Sequence, residues 1–383
     1  MDGAKFVSVS TPQYRYLVCD LVTDRLLTSL PLTGVQFDRR LSRAGEFKGQ
    51  WQIPNRDQAI LADQITKWGG RLALWVIRNG QLWWGGVLWS AKGSASSRSY
   101  STVDIQASTF ESYPYRRFLT YDWFEDSGLT MPYKVMEIWQ AMAVDSYGDI
   151  GVVADDARVS NQTTAWLAQD FIKLEMVTYG AMIQAFTDAE NGIDYTIDVY
   201  FDDAGVRTKS VRTGRSFAEI DSLPLVISGY KIPSWAFTRD SVGMGTVFRS
   251  QMDADDGNAT ADQKPLSSNE YWASDLLDDG WPRLDQVRQV DRLPGANLAT
   301  LNANNKAWGQ RLSGIKDVVQ YEVDLSDTQW HPNLIGQPVT IKRSLNDLWR
   351  PGETTTVYPA VVQFTPAEKG QPERVTFAMN DTD

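Results

Sequence analysis

Few residues in this 383-residue chain have both the type and the spacing that catalysis requires. The single histidine, His331, stands between Trp330 and Pro332. One imidazole excludes multi-histidine zinc or iron centres and leaves a Ser-His-Asp triad one place to sit. The single cysteine, Cys19, closes the apolar run Tyr16-Leu17-Val18-Cys19. It excludes an internal disulfide framework and reads as a small buried hydrophobe. Gly243-Met244-Gly245 opens like a dinucleotide fingerprint, but Phe248 stands where the third glycine belongs. Asp253-Ala254-Asp255-Asp256-Gly257 resembles a calcium loop, yet its glycine comes at the fifth position and not the sixth. Ser313-Gly314-Ile315-Lys316 matches S-x-x-K without the companion motifs of β-lactamases.

Adjacent carboxylates occur at Asp155-Asp156, Asp202-Asp203, Asp255-Asp256 and Asp278-Asp279. Glycoside hydrolysis needs two carboxyls held at a set separation, one of them with a raised pKa. Neighbours on exposed turns do not provide that, and they read as turn and solubility residues. No catalytic residue, cofactor or metal ligand is assigned, and the chain is not expected to be an enzyme.

The tryptophans are harder to explain as ordinary packing. There are 15, with Trp83, Trp84 and Trp89 on one expected strand and Trp68 and Trp75 just before it. Consecutive strand residues face opposite sides of a sheet, so Trp83 and Trp84 should not share one core. Aromatic surfaces serve sugar sites and protein–protein contacts alike. A subunit interface through Trp75, Trp83, Trp84 and Trp89 is the favoured expectation.

The elements that position these residues follow from the hydrophobic periodicity. Glu46–Ile53 alternates polar and apolar residues, the pattern of a strand with one face in a core. Arg71–Ile77 is apolar on both faces, and Asn79-Gly80 separates it from Leu82–Trp89, a strong hairpin signal. Val103, Ile105 and Ala107 mark a further half-buried strand. From about 111 to 190 the period lengthens. Val135, Ile138, Trp139 and Met142 form one helical face, and Phe171 to Phe186 suggest a longer helix stopped by Asn191-Gly192. Ile193–Phe201, the turn Asp202–Gly205 and Val206–Val211 then read as a hairpin.

Residues 250–280 carry eight acidic residues and one lysine, the composition of a long exposed loop or insertion. Helices are expected around 282–292 and 296–312, and strands return through the C-terminal section. The fold class expected is mixed and β-dominated (α+β): antiparallel barrel modules with helical segments between and inserted. The expected domains are 1–110, a first β-barrel; 111–190, a helical or mixed bracing domain; 191–249 with 313–383, a second β-barrel; and 250–312, an acidic loop plus helical insertion.

Charge is unevenly distributed. Residues 1–110 hold 13 Lys+Arg against 8 Asp+Glu, a net of +5; the remaining 24 against 40 give −16, together the overall −11. A net acidic chain is a poor general binder of nucleic acid, while its basic opening section suits docking on an acidic neighbour. No run of 18 apolar residues is present, and Met1–Lys5 does not start a signal peptide, so assembly in a cytoplasm is expected.

The order of features resembles a known family. The runs LLTSLPLTGVQFDRRLSRAGEFKGQWQIP, LALWVIRNGQLWWGGVLWS and VDIQASTFESYPYRRF are similar to those of hub or minor tail proteins from siphovirus (actinobacteriophage) tails. The resemblance includes the stretch Arg40-Leu41-Ser42-Arg43-Ala44-Gly45 and the hairpin Arg78-Asn79-Gly80-Gln81-Leu82-Trp83-Trp84-Gly85. It implies the two-barrel organisation of baseplate hub proteins, with two tail-tube-like barrels per chain and three chains around the tail axis. Such a homotrimer would join a six-fold distal tail protein ring to a three-fold tip in the virion. The tape measure protein and tail fibre or central tip proteins would be further partners, and DNA would pass without specific binding. Competing expectations are a distal tail protein with a carbohydrate-binding module, and a tail-associated glycoside hydrolase.

Overall fold

The computed structural model describes residues 12–96, 99–123, 130–160, 176–188, 192–219, 224–241, 243–252, 265–290, 298–314, 316–325, 329–343 and 354–378. The opening section supplies seven strands: β1 (Tyr14–Asp20), β2 (Leu26–Leu30), β3 (Leu32–Arg40), β4 (Glu46–Ile53), β5 (Leu72–Arg78), β6 (Gln81–Ser96) and β7 (Ser99–Thr109). In the β5–β6 hairpin, Asn79 and Gly80 both take positive φ, 49° and 84°, as the two-residue turn demands. One element interrupts the strands, α1 (Arg56–Lys67), where an all-strand section was expected. Its signal is local: the Asn55 side chain caps the helix by accepting from Gln58 N–H, and only Ala62 and Ile65 are buried.

The helical section follows with α2 (Met131–Val144), as its 3.6-residue period requires, and α3 (Tyr179–Asp188). The start of the longer helix expected from Phe171 lies outside the described residues. Two short strands, β8 (Val152–Val153) and β9 (Val159–Ser160), run parallel to β11 (Arg207–Gly214), which pairs antiparallel with β10 (Asp194–Phe201). The β10–β11 hairpin thus joins the helical section and not the strands that follow. Its turn is the expected one, with Asp202 Oδ1 accepting from Ala204 and Val206 N–H.

The remaining strands complete a mixed, β-dominated α+β fold. They are β12 (Leu225–Ser228), β13 (Ser234–Asp240), β14 (Val247–Met252), β15 (Leu266–Ser267), β16 (Tyr271–Trp272), β17 (Asp285–Val290), β18 (Lys316–Val323), β19 (Val339–Lys342), β20 (Thr354–Val357), β21 (Val361–Thr365) and β22 (Arg374–Ala378). Strand β17 occupies the stretch expected as a helix. Its exposure alternates residue by residue, and it pairs in parallel with β14 over six residues. Part of the acidic 250–280 stretch is structured too, as β15, β16 and α4 (Ser274–Asp278). The helix expected from 296 is α5 (Leu298–Leu312).

Eleven strands form one continuous antiparallel sheet in the order β13-β18-β22-β21-β3-β4-β7-β6-β5-β1-β2. The opening strands and the C-terminal strands therefore join at β21–β3, where Phe37 pairs with Phe364 and their rings stack at 4.8 Å. One core runs beneath both sets of strands, with Phe37, Phe47, Trp51 and Trp84 continuing into Trp330, Phe364 and Phe377. A second core lies across β1, β5 and β6, where Leu17, Cys19 and Trp75 meet Val135, Ile138 and Met182 of α2 and α3. Strand β5 is buried on both faces, which explains its unbroken apolar run.

Candidate functional site

Strand β6 carries the tryptophan cluster on which the interface expectation rests. The β5–β6 ladder pairs Val76 with Trp84 and Ile77 with Leu82, leaving Trp83 as the extra residue of a bulge. The bulge cancels the expected alternation, and both indoles enter the same core. Trp84 Nε1 donates to the Asp38 carbonyl at 2.9 Å. The Trp83 ring meets Phe364 edge-on at 5.6 Å, and the Arg78 guanidinium lies 4.2 Å above it. Trp75 fills the other core against Phe110 at 5.1 Å, with its Nε1 donating to Asp24.

Trp75, Trp83 and Trp84 are at most 2% exposed, so no ring surface remains for another chain. They are core residues. Trp89 alone is half-buried: its Nε1 donates to Ser112 Oγ at 2.9 Å, and Arg116 stacks on it at 5.4 Å. The glycines after Trp84 belong to the same packing. A Cβ on Gly85 would come 2.4 Å from the Trp75 ring, and one on Gly86 would come 2.2 Å from the Ser108 carbonyl oxygen.

His331 is also built into the junction. It begins a short 3-10 turn, with Nδ1 accepting from Asn333 N–H at 3.2 Å. That bond fixes the proton on Nε2, which donates to the Leu82 carbonyl at 3.0 Å. Burial pushes the imidazole pKa down to about 4, and the nearby Arg39 acts in the same direction. An imidazole with both nitrogens engaged in holding the backbone is a structural clasp. Cys19 is fully buried, and burial raises its thiol to about 11.

A buried polar seam joins the large sheet to β10. Arg39 Nη2 donates to Thr196 Oγ1 at 2.7 Å and to the Ile197 carbonyl at 2.8 Å. Glu111 Oε1 accepts from Ile197 N–H at 2.8 Å and lies 3.8 Å from Arg39. Further along, Asp198 accepts from Arg158 and from Arg212 Nε, and Arg212 reaches the Asn333 carbonyl. Removing one partner from such a pair leaves an uncompensated buried charge costing about 3–5 kcal/mol.

The largest sheet has a polar depression of ≈ 570 Å³ where Gln36, Asp38, Arg40, Lys48, Gln106 and Gln363 converge. Burial raises the Asp38 carboxyl above its ordinary range, while bonds from Glu46 N–H and Arg40 oppose the rise. Those bonds, at 2.8 and 3.1 Å, engage Asp38 in holding the β3–β4 turn. The paired carboxylates do not converge on it. Asp155 caps a 3-10 turn, Asp202 closes a hairpin, Asp278 and Asp279 end α4, and Asp255-Asp256 lies outside the described residues. Among the described residues, no three His, Cys, Asp or Glu side chains are grouped to hold a metal ion. None of the described helices is long and apolar enough to cross a membrane.

No family model matches the chain, and no curated protein matches it in sequence. Solved structures do match. A tail protein from Neisseria meningitidis MC58 superposes with a TM-score of 0.56 at 13% identity, covering 96% of both chains. The 43 kDa tail protein of prophage MuSo2 from Shewanella oneidensis gives 0.55 at 12% identity, over 96% of this chain and 98% of that one. The fold is shared with tail proteins.

A chain of the lidded Francisella PdpA–VgrG complex gives 0.50 at 8% identity, over 98% of this chain but 53% of that one. At such identities the likeness is one of architecture. The tail-protein fold spans nearly the whole chain, so it takes in the helical section and the small β14–β17 unit as well as the large sheet.

Proposed function

We propose that this chain is a structural protein of a phage tail: the hub at the tail tip, acting as a homotrimer. The observation that carries this reading is the end-to-end architectural match to two tail proteins, with 96% of this chain covered in both. Each protomer contributes two welded β modules, so three protomers present six ring segments to a six-fold distal tail protein ring. The helical section braces neighbours, and the acidic stretch around 250–280 faces fibre or central tip proteins. The tape measure protein ends at this ring, and DNA leaves through it without sequence-specific contact.

A trimer fits the function mechanically. The hub must hold a ring under load and then let a polyanion pass, and both tasks need rigid packing and no reacting group. The glycoside hydrolase alternative would require Asp38 to act in the polar depression, where its oxygens are already committed to Glu46 N–H and Arg40. Native mass spectrometry of the purified full chain tests the reading. Three copies per particle are expected; six would favour a distal tail protein, and a stable monomer would refute the hub.

A further inference from the structure

A row of buried polar groups runs along one face of the β10–β11 hairpin. The ladder sets Thr196 opposite Arg212 and Asp198 opposite Ser210, so all four side chains leave the same face. Thr196 Oγ1 accepts from Arg39 at 2.7 Å and donates to Glu111 Oε1 at 3.3 Å, which brings a second pair of charges there. Arg39, Glu111, Asp198 and Ser210 are at most 3% exposed, and Arg212 is 8% exposed.

These groups satisfy the backbone and one another only in part. Glu111 Oε1 and Asp198 Oδ2 are engaged, whereas Glu111 Oε2 and Asp198 Oδ1 have no partner among the described residues. Arg39 bonds through Nη2 and leaves Nε and Nη1 unpaired. Arg212 bonds through Nε and Nη2 and leaves Nη1, and the Ser210 hydroxyl bonds to nothing. Three donors, two acceptors and one hydroxyl that is both therefore share a single buried seam. Buried polar atoms are almost always bonded, because an unpaired one loses its hydration without compensation.

Whatever completes them must both donate and accept. A cation would suit the two carboxylate oxygens but not the three guanidinium nitrogens, and an anion the reverse. We propose that the seam is an internal hydration site, where bound water completes the hydrogen bonding of Arg39, Glu111, Asp198, Ser210 and Arg212. Arg39 comes from β3 and Glu111 from the turn after β7, whereas Asp198, Ser210 and Arg212 come from the hairpin. Water then bridges the large sheet to the helical section's hairpin, beside the direct bonds already there. A single protomer carries the whole site, so the proposal does not depend on the hub reading.

Oxygen-17 relaxation dispersion of solvent water tests it on the full chain, since it counts waters that stay bound longer than the protein takes to tumble. Ser210→Val removes a hydroxyl that has no protein bond to lose and fills its space with methyl groups. The variant should keep its circular dichroism and lose about one long-lived water or more. A crystal structure of the unaltered protein should show water about 2.7–3.2 Å from Arg39 Nε and Glu111 Oε2, and it decides alone if the variant does not fold. A relaxation signal that Ser210→Val leaves intact overturns the proposal. So does a crystal in which Arg39 Nε bonds Glu111 Oε2 directly with no water in the seam. Anomalous density beside Arg39 after a bromide soak overturns it as well, in favour of an anion site.

Discussion

At the residue scale, the single histidine holds two distant parts of the chain together. His331 clasps Leu82 of β6 to the turn at Asn333, and its ring lies edge-on to Trp83 at 5.8 Å. Its folded pKa, about 4, lies below the 6.5 of a free imidazole. Between those values the unfolded chain binds a proton that the folded chain refuses. This group's contribution is therefore complete above pH 6.5 and is lost as pH falls towards 4, a loss of about 2–3 kcal/mol. His331→Asn keeps an acceptor for Asn333 N–H but does not titrate. Urea unfolding of both proteins at pH 7, 5 and 4 should show the gap between them narrowing or reversing with acid. A gap independent of pH would show that His331 does not stay neutral in the fold. The role of Trp83 was not legible in sequence, because one bulge residue reverses the facing of a whole pair, and nothing in Trp83-Trp84-Gly85-Gly86 marks where the ladder slips.

At the scale of elements, periodicity spoke clearly wherever one face of an element meets solvent. Strand β4 and helix α2 appear where alternation and the 3.6-residue repeat place them. Helix α1 was hidden because only two of its residues are buried, and β17 because its charged residues suit a helix as well as a half-exposed strand. The attachment of the β14–β17 unit depends on pairings distant in sequence. Strands β13 and β18 pair directly, with Asp240 opposite Lys316, so everything from 241 to 315 leaves and re-enters the sheet at one point. Within the unit, Phe248 packs on Trp308 at 5.1 Å, and Asn305 donates to the Phe248 carbonyl. Replacing 241–315 by a two-residue Asn-Gly turn should therefore leave the large sheet folded. Thermal unfolding followed by circular dichroism should show a cooperative transition in the shortened protein. A loss of cooperativity would mean that the unit is part of the main core.

At the scale of the whole molecule, strands of the opening section and strands near the C-terminus lie in one sheet, a union that the sequence could not show. The weld at β21–β3 joins residues more than 320 positions apart, and only the fold brings Phe37 onto Phe364. Among the described residues, the eleven-stranded sheet is open, with β13 and β2 as its edges. All ten pairings between are antiparallel, so both edge strands run in the same direction. Copies related by rotation about one axis could join β2 to β13 only as a parallel pair, which is slightly weaker per residue. The central claim is that three copies form the ring at the end of the tail. Electron cryo-microscopy of the assembled tail tip tests it most directly: the account predicts density for three copies of this chain below the six-fold ring, and six copies, or none at the tip, would contradict it.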